Sequence, residues 1–110
     1  MNIRDNRQIV LLERPQGRIE PSTFGVRTAS VPPLADGEAL VEVVWLGIDA
    51  TQRTWLNPGF SYTDPATVGA VMPGSGVGRV VASRSPAWRE GDWVYGMLGW
   101  QELVVARDQG

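Results

Sequence analysis

Residues 72–83 read MPGSGVGRVVAS, and this stretch limits the possible folds more than any other. Gly74, Gly76 and Gly78 alternate, and the run Arg79-Val80-Val81-Ala82-Ser83 follows. A dinucleotide-binding turn needs G-x-G-x-x-G between a strand and a helix. Here the spacing is G-x-G-x-G, and the run after it is short and β-branched, the composition of a strand. Without a helix there is no cluster of free N–H groups to receive a pyrophosphate. The stretch therefore reads as a strand over 75–83 with little bulk on one face, that of Gly76, Gly78, Val80 and Ala82. Such a strand lets a neighbour approach closely.

The rest of the chain is written the same way, as short strands between Pro/Gly turns, the pattern of a barrel or sandwich. Strands are expected at 6–13, 24–30, 38–48, 92–96 and 99–106, with turns at 15–17 and 86–91 and a loop at 31–38 whose Asp36-Gly37 is a turn signal. In EALVEVVWLGI (38–48), Glu38 and Glu42 face one way while Ala39, Val41, Val43 and Trp45 face the other. From Val43 both faces are apolar, which predicts that this strand runs into the interior. DATQRTWL (49–56) predicts one or two helical turns, with Asp49 as N-cap and Asn57-Pro58-Gly59 as the stop. Residues 60–71 read as an irregular loop.

Absences narrow the chemistry. The chain of 110 residues contains no cysteine and no histidine, and all ten of its basic residues are arginine. That excludes disulfides, thiolate and imidazole catalysis, Cys/His zinc sites and a Schiff-base lysine. A net charge of −2 gives no reason to expect nucleic acid or an anionic membrane. No apolar stretch approaches a bilayer span, and MNIRDNRQ lacks the apolar core of a secretion signal, so the expected location is the cytoplasm. The length suits one domain with a modest core.

Few residues suggest a site on their own. Asp49 and Arg53 stand at i and i+4 and can meet on one helix face, either as a functional pair or as a cap plus a surface ion pair. Thr51 and Thr54 have no base nearby in sequence to make a nucleophile. Trp55, Phe60, Tyr62, Met72 and Trp100 are the kinds of group that line an apolar pocket, and equally the kinds that fill a core or its rim. Five tryptophans in a chain this short favour an apolar cleft or an interface.

Three segments together carry a family resemblance: NRQIVLLERPQG, ALVEVVWLGIDATQR and VMPGSGVGRVVASRSPAWREGDWVYGMLGWQELVV. They resemble the N-terminal domain of zinc-independent medium-chain dehydrogenase/reductases, in the branch of the prostaglandin reductases and alkenal double-bond reductases. The resemblance covers residues 6–107 and is most specific at GDWVYGMLGWQE (91–102) and the glycine strand. The branch reads D-P-Y-M-R after its central strand; here that segment is Asp49-Ala50-Thr51-Gln52-Arg53, so the Asp and Arg match and Thr51 stands in place of the tyrosine.

The resemblance implies a mainly β fold, a GroES-like, partly open β-barrel with one or two short helices, forming a single domain over 1–110. It implies NADPH-dependent hydride transfer to the β-carbon of an α,β-unsaturated carbonyl, with no metal. It puts Asp49, Ala50 and Thr51 near the nicotinamide, Thr51 as the hydroxyl nearest the reacting carbonyl, and Tyr62, Met72 and Trp100 along the substrate cleft. Arg53 braces the segment. The cofactor would be held by a separate Rossmann domain, which these residues do not contain, so the chain alone is not expected to be a redox enzyme. That domain belongs to the same longer chain or acts in trans. Two other readings remain open: a free-standing barrel that binds a small apolar ligand or catalyses a non-redox step, and an interaction module that self-associates, for instance as a homodimer.

Overall fold

A computed structural model describes residues 4–57 and 65–107. Among them are six strands and two short helical turns: β1 (Arg4–Leu11), a 3-10 turn (Pro21–Thr23), β2 (Phe24–Val31), β3 (Glu38–Leu46), α1 (Thr51–Thr54), β4 (Gly76–Ser83), β5 (Trp93–Gly96) and β6 (Leu103–Arg107). β1 and β2 form an antiparallel ribbon, and β5-β4-β3-β6 form an antiparallel sheet. Isolated bridges Gln8↔Gln101 and Val10↔Val71 tie the ribbon to the segments that enter and leave the sheet. Sheet and ribbon thereby curl toward each other as a partly open barrel.

The interior is built from three apolar groups. Ala39, Val41, Val80 and Leu98 pack inside the four-stranded sheet. Val31, Leu34, Leu40 and Leu103 pack where the loop after β2 crosses it. Leu11, Leu56, Ala66 and Met72, flanked by Phe24, Trp55 and Trp100, fill the end near α1.

The glycine strand answers to close packing. A Cβ at Gly78 would collide with Val41 Cγ1 and stand 2.8 Å from the Glu42 carbonyl oxygen, and one at Gly76 would stand 2.7 Å from the Trp45 carbonyl oxygen. Real Cβ atoms do not come this near backbone, so β3 is the neighbour for which these two positions are bare. At the Asp36-Gly37 turn, Gly37 has φ +85°, the left-handed conformation that glycine adopts without strain.

The sequence reading of β3 needs one correction. Its second half does not enter the interior: Val44, Leu46 and above all Trp45, at 69% exposure, lie on the surface. The register explains it. Val43 pairs with Gly78 but Trp45 pairs with Val77, so Val44 is an extra residue. A bulge reverses the alternation beyond it, and Trp45 turns outward although Val41 and Val43 turn in. Other differences are at ends. β1 begins at Arg4, two residues early, and the last strand spans 103–107 rather than 99–106 because Gly99, at φ +80°, turns the chain. The 3-10 turn had no counterpart in the sequence reading.

Candidate functional site

The site begins with a local hydrogen-bond device. Asp49 Oδ1 accepts the Thr51 N–H at 2.9 Å, and the Gln52 side-chain oxygen reaches back to the Asp49 N–H at 2.9 Å. The Asp49 bond is an Asx-type cap on the second residue after it and the Gln52 bond is the return half of a capping box; together they satisfy donors that a helix start leaves free. The helical residues begin at Thr51, with Ala50 at the N-cap, one position later than the sequence implied, yet the capping bonds come from Asp49 and Gln52. The Thr51 N–H and hydroxyl both hydrogen-bond the Asp49 carboxyl and hold it below its ordinary range. Gln52 is buried, at 6% exposure, because its amide is spent inward on this bond and on a longer one, 3.4 Å, from Nε2 to the Pro73 carbonyl.

Arg53 does not turn to Asp49, because the carboxylate sits ahead of a helix only one turn long. It donates to Asn57 Oδ1 at 2.8 Å and to the Gly17 carbonyl at 2.6 Å. Arg14 donates to the Leu56 carbonyl, and Asn57 to the Pro15 carbonyl. The three bonds that involve Arg14, Pro15 and Gly17 lash the α1 segment to the 14–17 turn. Arg53 braces the segment, as expected of it.

Beside the capped turn lies an apolar cleft of about 150 Å³, lined by Ile19, Phe24, Ile48, Asp49, Gln52, Arg53, Leu56, Met72 and Trp100. Phe24 and Trp100 meet as tilted rings with centroids 5.5 Å apart. On the other side of Asp49 and Gln52, a hollow of about 200 Å³ is bounded by Gly47, Thr51, Trp55 and Ser75. The capped turn therefore divides an apolar space from a more polar one. A wider groove of about 330 Å³ runs between the ribbon and the sheet, with Trp100 also in its wall.

Of the expected site residues, Asp49, Met72 and Trp100 come together on the apolar cleft. Thr51 lies on the neighbouring hollow, and Ala50 is exposed on the turn between them. Tyr62, like Phe60, lies outside the described residues. Gln52, Phe24, Ile19 and Ile48 were missed. The D-x-x-Q spacing could have revealed Gln52; nothing local marks the others, which arrive by tertiary contact. No group of three or more carboxylates stands together to hold a metal among the described residues, and no helix among them is long and apolar enough to cross a membrane.

Comparison with known proteins agrees with this geometry. Residues 7–110 match the family model described as the N-terminal domain of oxidoreductase. The NADPH-dependent curcumin reductase of Escherichia coli K12 is 38% identical over 101 residues, covering 92% of this chain and 29% of that protein. Prostaglandin reductase 1 of Oryctolagus cuniculus is 34% identical over 93 residues, covering 84% of this chain and 25% of the relative. The crystal structure of CurA from Vibrio vulnificus superposes with a TM-score of 0.89 at 34% identity, over 96% of this chain and 31% of that one. In complex with NADPH, CurA gives a TM-score of 0.87. The chain thus spans about a third of the length of these relatives or less.

Proposed function

Because the chain belongs to the oxidoreductase N-terminal-domain family, in the branch of the prostaglandin, curcumin and alkenal reductases, we propose that it is the substrate-side domain of an NADPH-dependent reductase of carbon–carbon double bonds conjugated to a carbonyl. The observation that supports this most is the apolar cleft of about 150 Å³ set against the capped Asp49–Gln52 turn. An apolar space with a few polar groups at one wall suits an uncharged substrate with a single carbonyl.

The residues present fit one edge of such a cofactor. Ala50 and Thr51 are exposed and short, which leaves room for a flat ring against the turn. Nothing among the described residues forms a glycine-rich turn into a helix, so the pyrophosphate is held by a further domain, in the same longer chain or in trans. NADPH, when bound, supplies the hydride. This chain holds the substrate's apolar body in the cleft and excludes water from it. It also keeps Asp49 ionised and fixed by the Thr51 N–H and hydroxyl.

Thr51 presents its hydroxyl on the hollow beside the cleft; turned from the Asp49 carboxyl, which the Thr51 N–H still holds, it donates to the carbonyl oxygen as negative charge develops there. Thr51→Val, made in a polypeptide that joins these residues to a cofactor domain, should lower kcat by on the order of 10²-fold. An unchanged kcat removes Thr51 from the reaction and leaves the rest of the reading intact. The reading as a whole is tested by adding a 2-alkenal and NADPH to that joined polypeptide and to the 110-residue chain alone. Oxidation of NADPH is expected only in the joined protein; its absence from both overturns the proposal.

A further inference from the structure

The polar hollow beside Asp49 holds a hydroxyl that the fold does not use. Ser75 stands immediately before β4. Its carbonyl accepts the Gly47 N–H at 2.8 Å, which carries the pairing of β3 with β4 one step past Leu46 and Gly76. Its Oγ lies over Gly47, where an added Cβ would stand 2.6 Å from it. Glycine at 47 thus leaves the Ser75 hydroxyl its place, and any side chain there would push it aside. Ser75 is half-buried and lines the hollow of about 200 Å³ together with Gly47, Asp49, Thr51, Gln52 and Trp55. Among the described residues its hydroxyl has no hydrogen-bond partner.

Other polar groups of the same wall are engaged. Thr51 gives both its N–H and its hydroxyl to Asp49. Gln52 spends its side-chain oxygen on the Asp49 N–H and its NH2 on the Pro73 carbonyl. Of the two hydroxyls on the hollow, Ser75 is therefore the one that can bond a ligand without first giving up a bond inside the chain. The charge of the wall selects the ligand. Asp49 is a carboxylate at neutral pH, and its charge opposes an anion entering the hollow. The acceptor that suits Ser75 is a neutral oxygen.

We propose that Ser75 is a second hydrogen-bond donor to the carbonyl oxygen of the substrate, acting from the β4 side of the hollow while Thr51 acts from α1. The inference rests on the reading of this hollow as the place of the reacting carbonyl, and it assigns the residue that holds the oxygen from the start. When the β-carbon gains hydride from NADPH, the conjugated electron pairs move onto the carbonyl oxygen. A proton from water then forms the C–H bond at the α-carbon and the C=O bond returns. Ser75 keeps its own proton throughout. Its hydrogen bond strengthens as the oxygen becomes negative, and that gain lowers the barrier. Thr51 must leave Asp49 to do the same, so loss of Ser75 should cost at least as much as loss of the Thr51 hydroxyl.

The test uses the polypeptide that joins these residues to a cofactor domain, with 2-cyclohexen-1-one carrying ¹³C at its carbonyl. In the presence of NADP+, which has no hydride to give, difference infrared spectroscopy reads the carbonyl stretch of the bound ketone. The band is expected below its frequency in water, and it should move back up in Ser75→Ala. With NADPH, Ser75→Ala should lower the single-turnover rate of NADPH oxidation by about 10²-fold. Its melting temperature should match that of the parent, because the hydroxyl removed has no partner in the fold. A carbonyl band at the same frequency in parent and variant overturns this inference, and so does an unchanged single-turnover rate; either result leaves Thr51 and the hollow as the substrate site. If the joined parent oxidises no NADPH, the reading of the chain as a substrate-side domain fails, and this inference with it.

Discussion

The two faces of β4 and β5 are built to opposite rules. On the inner face Gly76, Gly78 and Val80 are buried, and β3 lies so near that two of the three positions have no room for a Cβ. On the outer face of the same strands Val77 pairs with Tyr95 and Arg79 with Trp93, and Trp45 of β3 stands across from Val77. There Tyr95 is 77% exposed, and Trp45, Trp93 and Met97 are also on the surface. The Arg79 guanidinium lies 5.4 Å from the Trp93 ring centre, a cation–π contact at an exposed site. The inner face is packed to its steric limit. The outer face carries more aromatic surface than a chain standing alone has reason to show. Stability should therefore reside on one face, and association on the other.

The largest expected effect tests the inner face. Gly78→Ala must displace Val41 or the Glu42 carbonyl, and the latter is ladder backbone that cannot rotate aside. Overpacking of this kind costs about 1–3 kcal/mol. Urea denaturation should show the midpoint falling with the slope unchanged. A Gly78→Ala protein as stable as the parent would mean that β3 and β4 are not held this closely.

A smaller effect on stability, and a clear one on association, is expected outside. Replacing Trp45 and Tyr95 together by threonine keeps a strand-favouring residue at each position and removes most of the aromatic surface. The loss of stability should stay under about 1 kcal/mol, the scale of cross-strand pairs on an open face. Sedimentation at rising concentration should show the parent chain associating and the double variant remaining monomeric. A parent that is monomeric throughout would remove self-association from the readings of this face. It would leave a cofactor domain as the partner to test.

What was legible in the sequence follows the same division. The inner face could be read as far as Val80, because alternation of bulk along a strand is local and Gly76, Gly78 and Val80 announce it; Ala82, expected on the same face, leaves it at the register shift opposite Leu40 and Val41 and packs with a different apolar group. The outer face was misread at Trp45, because the bulge at Val44 depends on the pairing of β3 with β4, and no residue of β3 declares it. The cleft was legible in part. Met72 and Trp100 were found through family resemblance and Asp49 through its capping chemistry. The burial of Gln52 required knowing that Pro73 and Gly74 pass beside it. Chemistry written within one turn is readable; chemistry assembled by the return of a distant segment is not.

The smallest expected effect concerns acid, and it separates the cleft's rim from the body of the sheet. Asp49 is held below its ordinary carboxylate value of 3.8 first by the Thr51 N–H and then by the Thr51 hydroxyl. Glu38, at the start of β3, is held below 4.5 first by the Ala35 N–H and then by Arg107. A carboxyl whose folded value is lowered adds stability above its unfolded value. That contribution fades as the pH falls through the folded one. Asp49 is exposed, and Glu38 is half-buried with its partner Arg107 out in solvent, so each contribution is small and weakened by salt. Melting temperature should therefore decline gently between about pH 5 and pH 2, and less steeply in Asp49→Asn or Glu38→Gln. The two differ in where the change is felt. Asp49→Asn should loosen the α1 turn, seen as faster amide exchange at Thr51, and leave the β3–β6 amides protected. Glu38→Gln should do the reverse, because the Arg107 guanidinium that it releases belongs to β6, which pairs with the start of β3. Equal loosening of both regions by either variant would mean that the capped turn and the sheet open as one unit, and that the rim of the cleft has no independent freedom with which to admit a ligand.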